Sequence, residues 1–103
     1  MAKEKAESTQ TGRPLPSIGR QVHYVLPDGP HAGEHRPATI VRVWSGTMVN
    51  LQVLSDGSND GQGYEHGLVW VTSVDYSDDP RPRSWHWPEF VAPEPARDLT
   101  GGK

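Results

Sequence analysis

The side chains best equipped for chemistry in this sequence are aromatic. Trp44, Trp70, Trp85 and Trp87, joined by Tyr24, Tyr64 and Tyr76, stand in a chain of 103 residues. A tryptophan offers a large apolar face and one N–H donor, so it serves cores and binding surfaces alike. Trp85 and Trp87 are two apart, which puts them on one side of an extended segment. Such a pair could form a wall on which a proline-rich peptide, a base or a sugar stacks. The plainer reading is that they plug the end of a small barrel short of aliphatic residues.

The titratable residues suggest less. His31-Ala32-Gly33-Glu34-His35 places two imidazoles and a carboxylate within five residues, and zinc accepts such ligands. The frame is a loop between prolines, with no cysteine or third histidine at regular spacing, so it reads as solvated loop and no metal site is expected. Asp56-Gly57-Ser58-Asn59-Asp60-Gly61 resembles the front half of a calcium loop. Gly67 stands where the bidentate acid belongs, however, and Glu65 comes two residues early. The same residue types are what turns need. His23, His66 and His86 could each act near neutral pH, and His86 lies between Trp85 and Trp87. Ser17, Ser45, Ser58, Ser73, Ser77 and Ser84 have no nucleophile-elbow surroundings, and no phosphate-cradling glycine loop precedes a lysine. No catalytic residue and no cofactor is therefore expected.

Strands must position whatever these residues do. Ala38–Trp44 and Thr47–Leu54 are branched, apolar-rich runs on either side of Ser45-Gly46. That pattern predicts a hairpin with a two-residue primed turn. Trp44 then pairs with Thr47, Arg42 with Val49, Ile40 with Leu51 and Ala38 with Val53. Ala38, Ile40, Val49, Leu51 and Val53 share the expected core face, while Thr39, Val41, Val43, Met48, Asn50 and Gln52 face away. Arg42 falls on the core side, where an unpaired charge is costly. It must escape at the rim, find a partner or face a ligand. Beside Trp44, and with Arg20 and Arg36 converging, it would suit an anionic or planar ligand.

Val22, Tyr24 and Leu26 alternate onto one face of a further strand, which Pro27-Asp28-Gly29-Pro30 ends. Leu68–Val74 reads as another, and Trp85–Phe90 as a short extended piece. No segment carries a sustained 3.6-residue apolar period, so no long helix is expected. The expected fold is all-β: a small SH3-like barrel of about five strands over residues 18–91. Disordered arms are expected at 1–17 and 92–103, whose polar, proline-bearing composition cannot offset the entropy of ordering.

Composition removes several function classes. The net charge is −3, and basic residues are interleaved with acids, as in Asp78-Asp79-Pro80-Arg81-Pro82-Arg83, which disfavours nucleic acid as a partner. Without cysteine there is no disulfide and no thiolate nucleophile or ligand. No apolar stretch approaches the ~20 residues of a membrane span. The charged start lacks the apolar region of a signal peptide, so a cytoplasmic location is expected.

Five segments occur in order: Gly19-Arg20-Gln21-Val22-His23-Tyr24, Arg36-Pro37-Ala38-Thr39-Ile40-Val41, Asn59-Asp60-Gly61, Gly67-Leu68-Val69-Trp70-Val71-Thr72-Ser73-Val74 and Trp85-His86-Trp87-Pro88-Glu89. Over about residues 18–90 the chain resembles small proteins encoded by tailed phages and prophages, the closing Trp-His-Trp-Pro-Glu being its most distinctive piece. The resemblance implies a phage origin and the host cytoplasm as location; it brings no activity and no site residues. The expected function is a non-enzymatic accessory binding module. It would recognise a host or phage protein, or sequester a small anionic, nucleotide-like ligand. The expected site is an aromatic-rich end made by loop 27–36, Trp44, Trp70, Trp85 and Trp87, with Arg36, Arg42 and His86. The alternative is a virion component, a head decoration or connector whose arms order on neighbouring subunits.

Overall fold

The computed structural model describes residues 14–89 and 91. Five strands close into a barrel in chain order: β1 (Gln21–Val25), β2 (His35–Val43), β3 (Met48–Leu54), β4 (Leu68–Tyr76) and β5 (Ser84–His86). A single 3-10 turn, Gly57–Asp60, is the one helical element among the described residues. The first four strands pair antiparallel in sequence order. The short β5 closes the barrel, antiparallel to β1 and parallel to β4. The expected all-β barrel is thus what forms, and its strand order is compatible with an SH3-like arrangement.

Alternation builds the core. Val22, Tyr24, Leu26, Ala38, Ile40, Val49, Leu51, Val53 and Val74 are buried and pack around Trp85, which is 0% exposed. The Trp85 ring meets Tyr76 and Trp87 edge-on, with centroids 5.0 and 5.4 Å away. Its indole N–H donates to the Thr47 carbonyl at 2.8 Å, so the one polar atom of the ring is satisfied inside an apolar site. A tryptophan buries on the order of 150–250 Å², which at ~25 cal/mol per Å² contributes roughly 4–6 kcal/mol.

The hairpin departs from its predicted register. Ala38 lies opposite Val53 and Ile40 opposite Leu51, as expected, but Arg42 then lies opposite Asn50 and Val43 opposite Val49. A bulge between Ile40 and Arg42 adds a residue to β2 and turns Arg42 out of the core to solvent. The loop is four residues long, not two: Trp44 N–H donates to the Met48 carbonyl at 2.8 Å, and Ser45 Oγ accepts from the Thr47 and Met48 amides.

A second bulge interrupts β4. Leu51 faces Val71 and Val49 faces Val74, so Thr72 and Ser73 together oppose Asn50. Ser73 takes a φ of 57°, a left-handed conformation that costs a non-glycine residue about 1 kcal/mol or more. Asn50 compensates. Its Oδ1 accepts from Ser73 N–H at 2.8 Å, Thr72 Oγ1 at 2.9 Å and Trp44 Nε1 at 2.8 Å. Although predicted to face outward, Asn50 is buried and holds both bulges in place.

β4 runs two residues past the predicted Val74, and β5 ends at His86 short of Phe90. The expected arms lie mostly outside the described residues; of 14–17, which are described, Pro16 is buried against the barrel.

Candidate functional site

The residues predicted to form one aromatic-rich end occupy four places. Trp85 is core, because the β5 residue between the outward-facing Ser84 and His86 points inward. Trp87 is half-buried against Trp85, with the Arg20 guanidinium 4.9 Å above its ring. Trp44 and Trp70 are 50% and 58% exposed on the wall made by β2, β3 and β4. Arg42 stacks on Trp44 at 4.1 Å. The single aromatic pocket is therefore corrected to an exposed wall and, apart from it, buried Trp85 with half-buried Trp87 packed on it.

Arg36 stands apart from the tryptophans and is engaged within the fold. Its Nε and Nη2 donate to the two oxygens of Asp60 at 2.8 and 2.6 Å, and Nη1 donates to the His35 carbonyl. Asp60, read from sequence as a turn residue, is fully buried; it also accepts the Asp56 amide at 2.7 Å and lies 3.2 Å from His31 Nδ1. The Arg36 hydrogen bonds outweigh burial and hold the Asp60 carboxyl far below its ordinary range. Reciprocally, Asp60 raises the Arg36 guanidinium above its own. This pair ties the start of β2 to the 3-10 turn, and His31 adds the loop before β2 to the same carboxylate. A Cβ on Gly29, which has a φ of 87°, would collide with the Asp60 carbonyl oxygen, so the two loops approach as closely as glycine permits.

The exposed wall follows the strand register. Leu54 pairs with Leu68 and Gln52 with Trp70, and these outward residues alternate with the inward Leu51 and Val53. Val41, next to the β2 bulge, adds to the patch. Trp44 is fixed from two sides, by its hydrogen bond to Asn50 and by Arg42 over its face.

His86 belongs to a different assembly. His23 on β1 lies directly opposite His86 on β5, and His35 begins β2, the strand on the other side of β1. All three imidazoles leave the barrel on the same outer surface, with ring centroids 4.6–5.9 Å apart. Three residues past His86, Glu89 returns over them. Its Oε1 lies 2.9 Å from His23 Nδ1, and its Oε2 lies 3.1 Å from His35 Nδ1 and 2.8 Å from His86 Nε2. Burial pushes the His86 imidazole below its ordinary value despite the pull of Glu89, and His35 and His23 act in the same direction. Its far nitrogen, Nδ1, is buried without a hydrogen-bond partner among the described residues. Burial thus disfavours the charged form of His86. Partial burial opposes ionisation of Glu89, yet its own backbone N–H, His86 and His35 together hold the carboxyl below its ordinary value.

Among the described residues this is the one group of three or more such side chains whose donor atoms converge, all within 4.8 Å of one another. The sequence singles out His86, and His35 and His23 apart from it, but nothing local joins the three or marks Glu89. The spacing that pairs His35 with His31 is not realised, since His31 turns to Asp60. The one available signal was the strand pattern, since His23 and His86 each alternate with core residues. No protein-family model, curated protein or solved structure matches the chain.

Proposed function

We propose that this barrel is a non-enzymatic binding module that recognises a protein through the outer wall of β2, β3 and β4. The observation that carries this reading is the pair Trp44 and Trp70, each at least half exposed on a wall that also presents Leu54, Leu68 and Val41. Isolated apolar residues on a surface need no explanation, but a contiguous group including two tryptophans matches the anchors of protein interfaces. Asn50 and Arg42 hold Trp44 in place before any partner arrives, which lowers the entropy cost of binding. Arg42 asks for a carboxylate on the partner.

A small anionic ligand is the weaker choice. Such ligands need a concave site, and the wall is the convex outside of a barrel. The open cleft of about 430 Å³ beside it is lined by Glu34 and Asp56 as well as by Arg36, and the Arg36 charge is already met by Asp60 and Glu34. A phage accessory role, acting in the host cytoplasm on a host or phage protein, is proposed on the sequence resemblance.

A photo-crosslinking residue placed at Trp70, and separately at the distant, exposed Asp79, tests the reading in extracts of host cells. It expects one adduct of defined mass from position 70 alone, lost when Leu54→Glu is added. Equal adducts from both positions, or none from position 70, would refute it.

A further inference from the structure

We propose that His23, His35, His86 and Glu89 form a binding site for one divalent transition-metal ion, with Zn²⁺ the preferred occupant. This goes beyond the protein-recognition wall and rests on different residues. The first argument is convergence. Three imidazoles come from three adjacent strands, and the carboxylate comes from the turn that follows the last of them. The positions of the three imidazoles are set by barrel register, so most of the cost of assembling the ligands has been met by folding.

The second argument is distance. A tetrahedral zinc ion with bonds of ~2.0–2.1 Å holds its donor atoms ~3.3–3.4 Å apart. Here the carboxylate oxygens stand 2.8–3.1 Å from the three nitrogens, and the whole donor set fits within 4.8 Å. Donors separated by as much as 4.8 Å would draw inward by about an ångström to reach that spacing, with half-exposed Glu89 moving to share the ion in place of its hydrogen bonds.

The third argument is donor chemistry. Three nitrogens and one oxygen suit zinc, copper, nickel or iron, whereas calcium and magnesium require mostly oxygen. The three nitrogens that now face the Glu89 oxygens would exchange their N–H protons for the ion, so metal uptake would release protons, as imidazole ligation does in general.

The site also spans one of the two short seams at which β5 closes the barrel. β5 is three residues long and meets β1 through two residue pairs. An ion held by His86 and Glu89 on one side, and by His23 and His35 on the other, cross-links that seam.

The test is calorimetric titration of Zn²⁺ into the full chain after metal is stripped with a chelator. The expected result is one saturable site per chain. His35→Ala and Glu89→Gln should each weaken it more than about 100-fold, beyond what loss of an outer hydrogen bond to a ligand costs, while His66→Ala leaves it unchanged. Glu89 is half exposed, so Glu89→Gln should stay folded, which its circular dichroism and Trp85 fluorescence will verify. Substituted Co²⁺ should show the strong visible absorption of a four-coordinate nitrogen and oxygen site. Absence of saturable uptake by the folded parent chain, or undiminished uptake by folded Glu89→Gln and His35→Ala, would overturn the proposal.

Discussion

Replacing Asp60 by alanine should be among the most damaging single changes on the polar side of this fold. Asp60 has no exposed surface, and its carboxylate receives two hydrogen bonds from Arg36 and one from the Asp56 amide. The Arg36 side chain is only 14% exposed, so solvent screens the pair little. Removing one member of a buried pair costs ~3–5 kcal/mol, and the half-exposed Glu34, 3.1 Å from Arg36 Nη2, compensates the remaining charge only in part, which puts the loss near the lower end. Domains of this size have total stabilities of roughly 5–15 kcal/mol. At about 4–8 °C per kcal/mol, the midpoint should fall by at least about 12 °C. Urea unfolding followed by the fluorescence of Trp85 measures the loss, and Arg36→Ala with the double variant completes a cycle. The double variant should cost little more than either single one, because the second removal eliminates an orphaned charge. A loss under about 1 kcal/mol for Asp60→Ala, or additive losses in the cycle, would mean that the pair is hydrated and the reasoning is wrong.

The other expectations concern the loops, the bulges and pH. Asn50→Leu orphans the Ser73 amide and the Trp44 indole; it should cost about 2–4 kcal/mol and shift Trp44 emission to longer wavelength, and unchanged stability would remove Asn50 as the fastener of the two bulges. Gly29→Ala should destabilise by more than about 1 kcal/mol through positive φ and collision with the Asp60 carbonyl, and a neutral result in urea unfolding would contradict the close approach. His86, whose folded value lies below its ordinary 6.5, contributes stability that is whole above that pH. Below it the unfolded chain binds the proton first, so the urea midpoint of the metal-stripped protein should fall from pH 7.5 to pH 5.5. Glu89 extends the decline below its ordinary 4.5. A flat profile, or one that His86→Asn leaves unaltered, would refute this assignment.

What was legible in the sequence is what period-two patterning encodes. Val22, Tyr24 and Leu26, and the faces of the hairpin from Ala38 to Ile40, follow from local alternation and the need to bury branched residues. The four-residue loop and the two bulges did not, because they depend on one side-chain oxygen, that of Asn50, satisfying groups on two neighbouring strands. Trp85 was placed on a binding surface for want of the β5 register, which decides whether the tryptophan or its histidine neighbour faces inward. Asp60 sits among turn residues and gives no local sign of its buried partner, 24 positions earlier in the chain. The histidine cluster was hidden for the same reason. His23, His35 and His86 belong together only once β1 is known to lie between β2 and β5, and the conspicuous spacing of His31 and His35 pointed elsewhere.

X-ray absorption at the zinc edge of the zinc-loaded full chain bears most directly on that convergence. Three imidazoles and a carboxylate predict a nitrogen and oxygen shell at ~2.0–2.1 Å, with the outer-shell scattering of about three rings. A shell of water oxygens lacking imidazole scattering, or a spectrum unaltered by His23→Ala, would contradict it.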